Sequence, residues 1–221
     1  MATDSYGSAQ ASDGRSTTLT VLEPSSVPES AVLESNLALL RQAGFQVSYQ
    51  RYPPDAGDRR ARAGVSARSQ TLLSALSDPE CAYVLAARGG YGASDLLRYL
   101  DWSALSLLPE TILVGFSDIS ALQIALYSRL GWPSIHGPMP GSALWTNGAD
   151  IDCLLRLLSS SRPWSSTISV SLLGGDSTNT TVQGTLIGGC LSVLSALIGT
   201  SYFPPTLQGH ILFLEDTNET A

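Results

Sequence analysis

The chain has 221 residues and a mass of 23.3 kDa, enough for one large domain or two small ones and too long for a disulfide-stapled miniprotein. Its 12 basic and 19 acidic side chains give a net charge of -7 and a pI near 4.7, which argues against a nucleic-acid or anionic-membrane partner. All 12 basic residues are arginine, which excludes any mechanism built on a lysine amine, and His136 and His210 are the only imidazoles.

Residues 1–17 are rich in Ser, Ala, Gly and Asp and lack the apolar block of a secretory leader, so a disordered tail and a cytoplasmic protein are expected. A β-branched run at 17–22 predicts a strand closed by Glu23-Pro24-Ser25-Ser26. Pro28 suits the first turn of the next helix, whose apolar stripe (Val32, Leu33, Leu37, Leu39, Leu40) runs up to Gly44. A strand at 45–49 follows, then a basic, loop-like stretch at 51–68, a helix at 69–77 and a strand at 82–87. A helix at 93–100, a strand at 111–116, a helix at 119–130 and a short strand at 133–136 complete the alternation.

Strands alternating with helices predict an α/β N-terminal domain over 18–140, a mostly parallel sheet with flanking helices whose ligand sites lie beyond the carboxyl ends of the strands. The pattern weakens over 141–181, read as an interdomain passage with one helix at 151–158 and a polar run at 174–181. Residues 182–221 read as part of a smaller C-terminal α/β domain: a strand at 182–187, a helix opened by Gly188-Gly189, and a strand at 210–214 ending in Glu215-Asp216. The longest apolar stretch, 186–203, is broken by Gly, Ser and Thr and suits a buried helix rather than a membrane span. Cys81, Cys153 and Cys190 are odd in number, lack Cys-x-x-Cys spacing and read as buried thiols of a reducing compartment.

Two strand ends carry the chemistry. Arg88-Gly89-Gly90-Tyr91-Gly92 joins a buried strand to a helix, and its glycines let backbone N–H groups approach a negatively charged ligand atom. The run lacks the third glycine of a dinucleotide fingerprint, and a plain tight connection would use the same residues. Gly115-Phe116-Ser117-Asp118 places a hydroxyl at the next strand-to-helix junction, similar to a nucleophile elbow except that Ile119 stands where the last glycine would be. Ser117 is equally suited to capping that helix. Glu215 and Asp216 end a strand, where an acid could orient a histidine or simply meet solvent. His136 ends the strand after the Ser117 unit and could reach the same rim, whereas His210 opens the last strand, at the far end.

Taken in order, residues 85–94, Val114-Gly115-Phe116-Ser117-Asp118-Ile119-Ser120 and His136-Gly137-Pro138-Met139 resemble the LD-carboxypeptidase (muramoyltetrapeptide carboxypeptidase) family of serine peptidases. Pro24-Ser25-Ser26, Gly188-Gly189-Cys190-Leu191-Ser192 and Ile211 to Asp216 fit as well. The resemblance implies a cofactor-free cytoplasmic hydrolase of peptidoglycan recycling, with a Ser-Glu-His triad, that releases terminal D-alanine from murein tetrapeptide. It implies Ser117 as nucleophile, Glu215 as triad acid, and the N–H groups of Gly90 and Asp118 as oxyanion donors. A small peptide is the implied partner, with a homodimer possible and neither metal, nucleic acid nor membrane involved. Relatives of the microcin C immunity type, which cut aminoacyl-adenylate analogues, leave the substrate class open, and a catalytically dead peptide- or nucleotide-binding protein is the rival from another class.

Three positions depart from the family pattern. The family's histidine lies well downstream of the triad glutamate and has no counterpart here, so the chain reads as C-terminally truncated and is expected to have little or no peptidase activity, His136 being a weak substitute base. Cys190 stands where asparagine is common, and Glu23 where alanine is usual.

Overall fold

The β-branched and apolar runs form β1 (Thr18–Leu22), β2 (Gln46–Gln50), β3 (Tyr83–Ala86), β4 (Ile112–Gly115) and β5 (Ser134–His136). The computed structural model describes residues 17–53, 57–146, 148–160, 164–165, 167–171 and 181–217; the expected tail up to residue 16 and most of the polar run lie outside them. The strands make one sheet in the order β2-β1-β3-β4-β5, with every neighbouring pair parallel, as expected from the alternating pattern. Because β2 and β3 lie on opposite sides of β1, the winding reverses there, and the loops leaving β1 and β3 border the crevice characteristic of such a switch point.

Side chains alternate across this sheet. Tyr83, Leu85 and Ala87 face the helices α1 (Ser30–Gln42) and α5 (Gly148–Ser159), packing with Leu33, Leu37 and Leu154. Val84 and Ala86 face α2 (Arg62–Leu76) and α4 (Ser120–Leu130), packing with Leu72 and Leu122. Each fully buried leucine contributes about 1.5–3 kcal/mol, so the period-two pattern of β3 fixes which face each helix covers.

Several expectations change. α2 begins at Arg62, inside the stretch expected to be basic loop, because arginine is a good helix former and Arg68 is buried against backbone carbonyls. Pro28 precedes the N-cap Glu29 and so lies just outside α1. The helix expected at 93–100 is a 3-10 turn, Ser94–Tyr99, followed by the short α3 (Trp102–Leu105). Asp101 divides them by accepting the Ala104 N–H at 2.9 Å as the N-cap of α3. Within the stretch read as an interdomain passage, Ala143–Thr146 form a 3-10 turn and Gly148–Ser159 form α5, with Trp145, Leu154 and Leu158 in the first sheet's core. Cys81 and Cys190 are buried, but Cys153 is exposed, lying off the α5 stripe of Ile151, Leu154, Leu155 and Leu158.

Gly188 and Gly189 open no helix. They belong to β6 (Thr185–Cys190), which pairs in parallel with β7 (His210–Glu215), and α6 (Leu191–Ser195) starts after them. The reason is spatial: a side chain on Gly188 would strike the Phe213 carbonyl of the neighbouring strand. The two-stranded unit seats on α4, with Ile187, Leu194 and Leu197 joining the core that α4 covers. The apolar stretch at 186–203 is therefore strand, short helix and turns, and no helix among the described residues is long and apolar enough to cross a membrane.

Candidate active site

β4 runs into a single 3-10 turn, Ser117–Ile119, that continues as α4. Ser117 has φ 60, the one non-glycine residue with positive φ among the described residues. Such a backbone costs about 1–3 kcal/mol and persists only where its surroundings enforce it. The hydroxyl does not cap α4, and among the described residues it has no hydrogen-bond partner. Across from it lies Gly89, where an added Cβ would sit 3.2 Å from Ser117 Oγ and 3.4 Å from Met139 Cε. Glycine at 89 is what keeps the hydroxyl accessible.

Gly90 has φ 125, and a Cβ there would approach Ser26 Cβ to 2.6 Å. The close approach is used on both sides: Ser26 N–H donates to Gly89 O and Tyr91 N–H to Ser26 Oγ, each at 3.3 Å. Asp118 lies in the first helical turn, where N–H groups have no intrahelical acceptor. Its buried carboxylate accepts from Ser25 Oγ at 2.5 Å and from Ala93 N–H at 2.9 Å. Burial pushes this carboxyl above its ordinary range, while those two hydrogen bonds and nearby Arg68 pull the other way. The loops after β1, β3 and β4 thus meet at one rim, with the Ser117 hydroxyl beside Gly89.

His136 ends β5 opposite Gly115, and its ring packs edge-on against Phe116 and Phe213. Glu215 arrives from the second sheet. The seating of that sheet is set where Cys190 N–H donates to Ser120 Oγ at 3.1 Å and a Cβ on Gly189 would come within 2.5 Å of the same oxygen. His136 Nε2 lies 3.5 Å from Glu215 Oε1, beyond hydrogen-bond length. Burial lowers the imidazole's pKa from its ordinary value, and burial with the neighbouring Asp216 raises the carboxyl's. Both His136 Nδ1 and Glu215 Oε1 are buried without a hydrogen-bond partner among the described residues. The structure therefore groups Ser117, Gly90 and Asp118 at one rim and places His136 beside Glu215; among the described residues no hydrogen bond joins Ser117 to either. His210 stands at the other end of β7, with Nε2 2.7 Å from Tyr127 Oη, and Asp216 caps α6 through Ser192 N–H at 2.9 Å.

Sequence reasoning passed over the residues that hold this rim. Gln123 Nε2 donates to Gly115 O and Ile135 O, both at 2.9 Å, fixing the ends of β4 and β5. Arg59 donates to Glu23 Oε2 at 2.9 Å, Glu23 O at 2.7 Å and Ser25 O at 2.5 Å, while Tyr49 Oη donates to Glu23 Oε1. Burial, with Glu23 beside it, pushes the Tyr49 hydroxyl up to about 12. The signals in the sequence were the cluster of arginines between residues 59 and 68 and the unusual Glu23.

Comparison with known proteins places the same segments in one group. Residues 19–137 match the LD-carboxypeptidase N-terminal domain and residues 183–221 its C-terminal domain. The murein tetrapeptide carboxypeptidase of Pseudomonas aeruginosa is 35% identical over 214 residues, 94% of this chain and 67% of that protein. The structure of the muramoyltetrapeptide carboxypeptidase from Oxalobacter formigenes superposes with a TM-score of 0.73 at 28% identity, covering 92% of this chain and 67% of that one. An MccF-like protein from Bacillus anthracis does so with a TM-score of 0.73 at 29% identity, covering 91% and 67%. The chain spans about half to two thirds of the length of the curated relatives it matches.

Proposed function

Because the chain belongs to the LD-carboxypeptidase family, we propose that it carries the nucleophile, oxyanion donors and acid of a serine carboxypeptidase acting on the L-to-D bond before a terminal D-alanine of murein tetrapeptide. The observation that carries this reading is the strained Ser117 at the carboxyl end of β4, facing Gly89 and without a hydrogen-bond partner for its hydroxyl among the described residues. In the proposed reaction Ser117 Oγ bonds to the scissile carbonyl carbon, whose oxygen becomes an oxyanion held by the Gly90 and Asp118 N–H groups. The C–N bond then breaks, the serine proton passes through a general base to the departing amine, and water cleaves the resulting ester. The resemblance places that base downstream of Glu215.

A test that needs no base is binding of a peptidyl boronic acid, whose tetrahedral adduct resembles the oxyanion intermediate. Boron-11 NMR is expected to show a tetrahedral adduct in the native chain and none in Ser117→Ala. Equal binding by both proteins would instead mark a rim that binds without acting as nucleophile.

A second reading, hydrolysis of an aminoacyl-adenylate analogue, is supported by the MccF-like structure, which superposes as closely as the carboxypeptidase. Competition for the boronate separates the two. Displacement by murein tetrapeptide but not by an aminoacyl sulfamoyl adenosine supports the first, and the reverse order supports the second.

A further inference from the structure

We propose that Arg68 is the positioning residue of the oxyanion site, tying the loop after β1 to the loop after β3 and so setting where the Gly90 N–H points. This rests on the reading of Ser117 as nucleophile and Gly90 as oxyanion donor.

Arg68 projects from α2 and is only 3% exposed. Its Nη1 donates to Pro24 O at 2.5 Å and to Gly92 O at 3.0 Å, and its Nη2 to Arg59 O at 3.0 Å. All of its hydrogen bonds among the described residues go to backbone carbonyls, and its buried Nε–H has no acceptor there. An arginine kept only to neutralise charge would hydrogen-bond a carboxylate; this one bonds to loops. Charge-assisted bonds of this kind are roughly twice as strong as neutral ones, and the one to Pro24 O is fully buried.

The neighbouring residues are arranged around that guanidinium. Arg59 takes the carbonyls of Glu23 and Ser25, Arg68 takes that of Pro24, and so three consecutive carbonyls after β1 are held by two arginines. With its carbonyls fixed, the loop presents the Ser25 hydroxyl to Asp118 and Ser26 to Gly89 and Tyr91. On the β3 side, Gly92 has φ 104, and a Cβ there would lie 3.2 Å from Arg68 Nη2 and 3.3 Å from Nη1. A side chain at 92 would crowd the guanidinium where it meets the Gly92 carbonyl. Gly90 lies between Gly89, bonded to Ser26, and the clamped Gly92, so its N–H direction follows from two anchors on the same pair of loops.

The test is amide hydrogen exchange and boronate affinity in Arg68→Lys, which keeps the charge but loses the planar fork. Exchange at Tyr91 and Ala93, which flank Gly92, is expected to quicken about tenfold and boronate binding to weaken about tenfold, while Val84 and Leu113 at the sheet centre keep their protection. Unchanged exchange at 91 and 93, or a uniform rise that includes the sheet centre, overturns the proposal. Should Arg68→Lys not fold, Arg68→Gln, which keeps an N–H donor without a buried charge, is expected to give the same local pattern. A native chain that forms no boronate adduct would sink the nucleophile reading, and the exchange data alone would then decide whether Arg68 orders the loops.

Discussion

Ser25 donates its hydroxyl to the buried Asp118 carboxylate at 2.5 Å across 93 residues of sequence, joining the loop after the first strand to the residue beside the strained serine. Ser25→Ala leaves that carboxylate with the Ala93 N–H as its one remaining hydrogen-bond donor among the described residues. Urea unfolding is expected to show a loss of about 1–3 kcal/mol. The Asp118 pKa should rise further, because the Ser25 bond is one of the influences holding it down.

The backbone at Ser117 separates the cost of the site from its chemistry. Ser117→Gly and Ser117→Ala both remove the hydroxyl, but only glycine accepts φ 60 without a Cβ clash. The glycine variant should exceed the alanine variant in stability by about 1 kcal/mol, measured by chemical denaturation. Equal stabilities would mean that the positive φ carries no strain.

Glu23 pairs with Arg59 and accepts from Tyr49, with its side chain 2% exposed. Glu23→Ala strips Arg59 of its carboxylate partner while the guanidinium stays in place on the carbonyls of Glu23 and Ser25. A loss on the order of 3 kcal/mol is expected in thermal or denaturant unfolding. The Tyr49 hydroxyl, which Glu23 helps hold near 12, should then ionise at lower pH, readable by ultraviolet titration.

Burial depresses the pKa of His136 in the fold. The unfolded chain therefore binds its proton first as pH falls, so this residue's contribution to stability is complete above the ordinary value near 6.5 and is lost on acidification from there down to the depressed value. Unfolding free energy measured across this window should slope less steeply in His136→Gln than in the native chain. Identical slopes would show that the imidazole is as easily protonated in the fold as out of it.

The five parallel strands were legible because short strand-forming runs alternate with helical stretches between turn residues, and the place of Ser117, Gly90 and Asp118 just beyond strand ends followed from the same alternation. Arg59 and Arg68 were not, since whether a charge is buried depends on carbonyls tens of residues away that no periodicity encodes. Gly188-Gly189 misled for a related reason: glycines before an apolar run look like a helix opening until Phe213 and Ser120 are seen pressing on them. Cys153 was misassigned because a thiol next to leucines can still lie on the outer side of a helix.

The approach of the second sheet to α4 at Gly189 works as a mechanical stop. The reach of Glu215 toward the first sheet depends on how closely β6 can lie against Ser120, and that gap has no room for even one methyl group. A single carbon at position 189 would act as a shim, lifting the whole two-stranded unit and drawing the carboxylate back from His136. The distance between acid and rim is thus gauged by a missing side chain on a different strand from the acid itself.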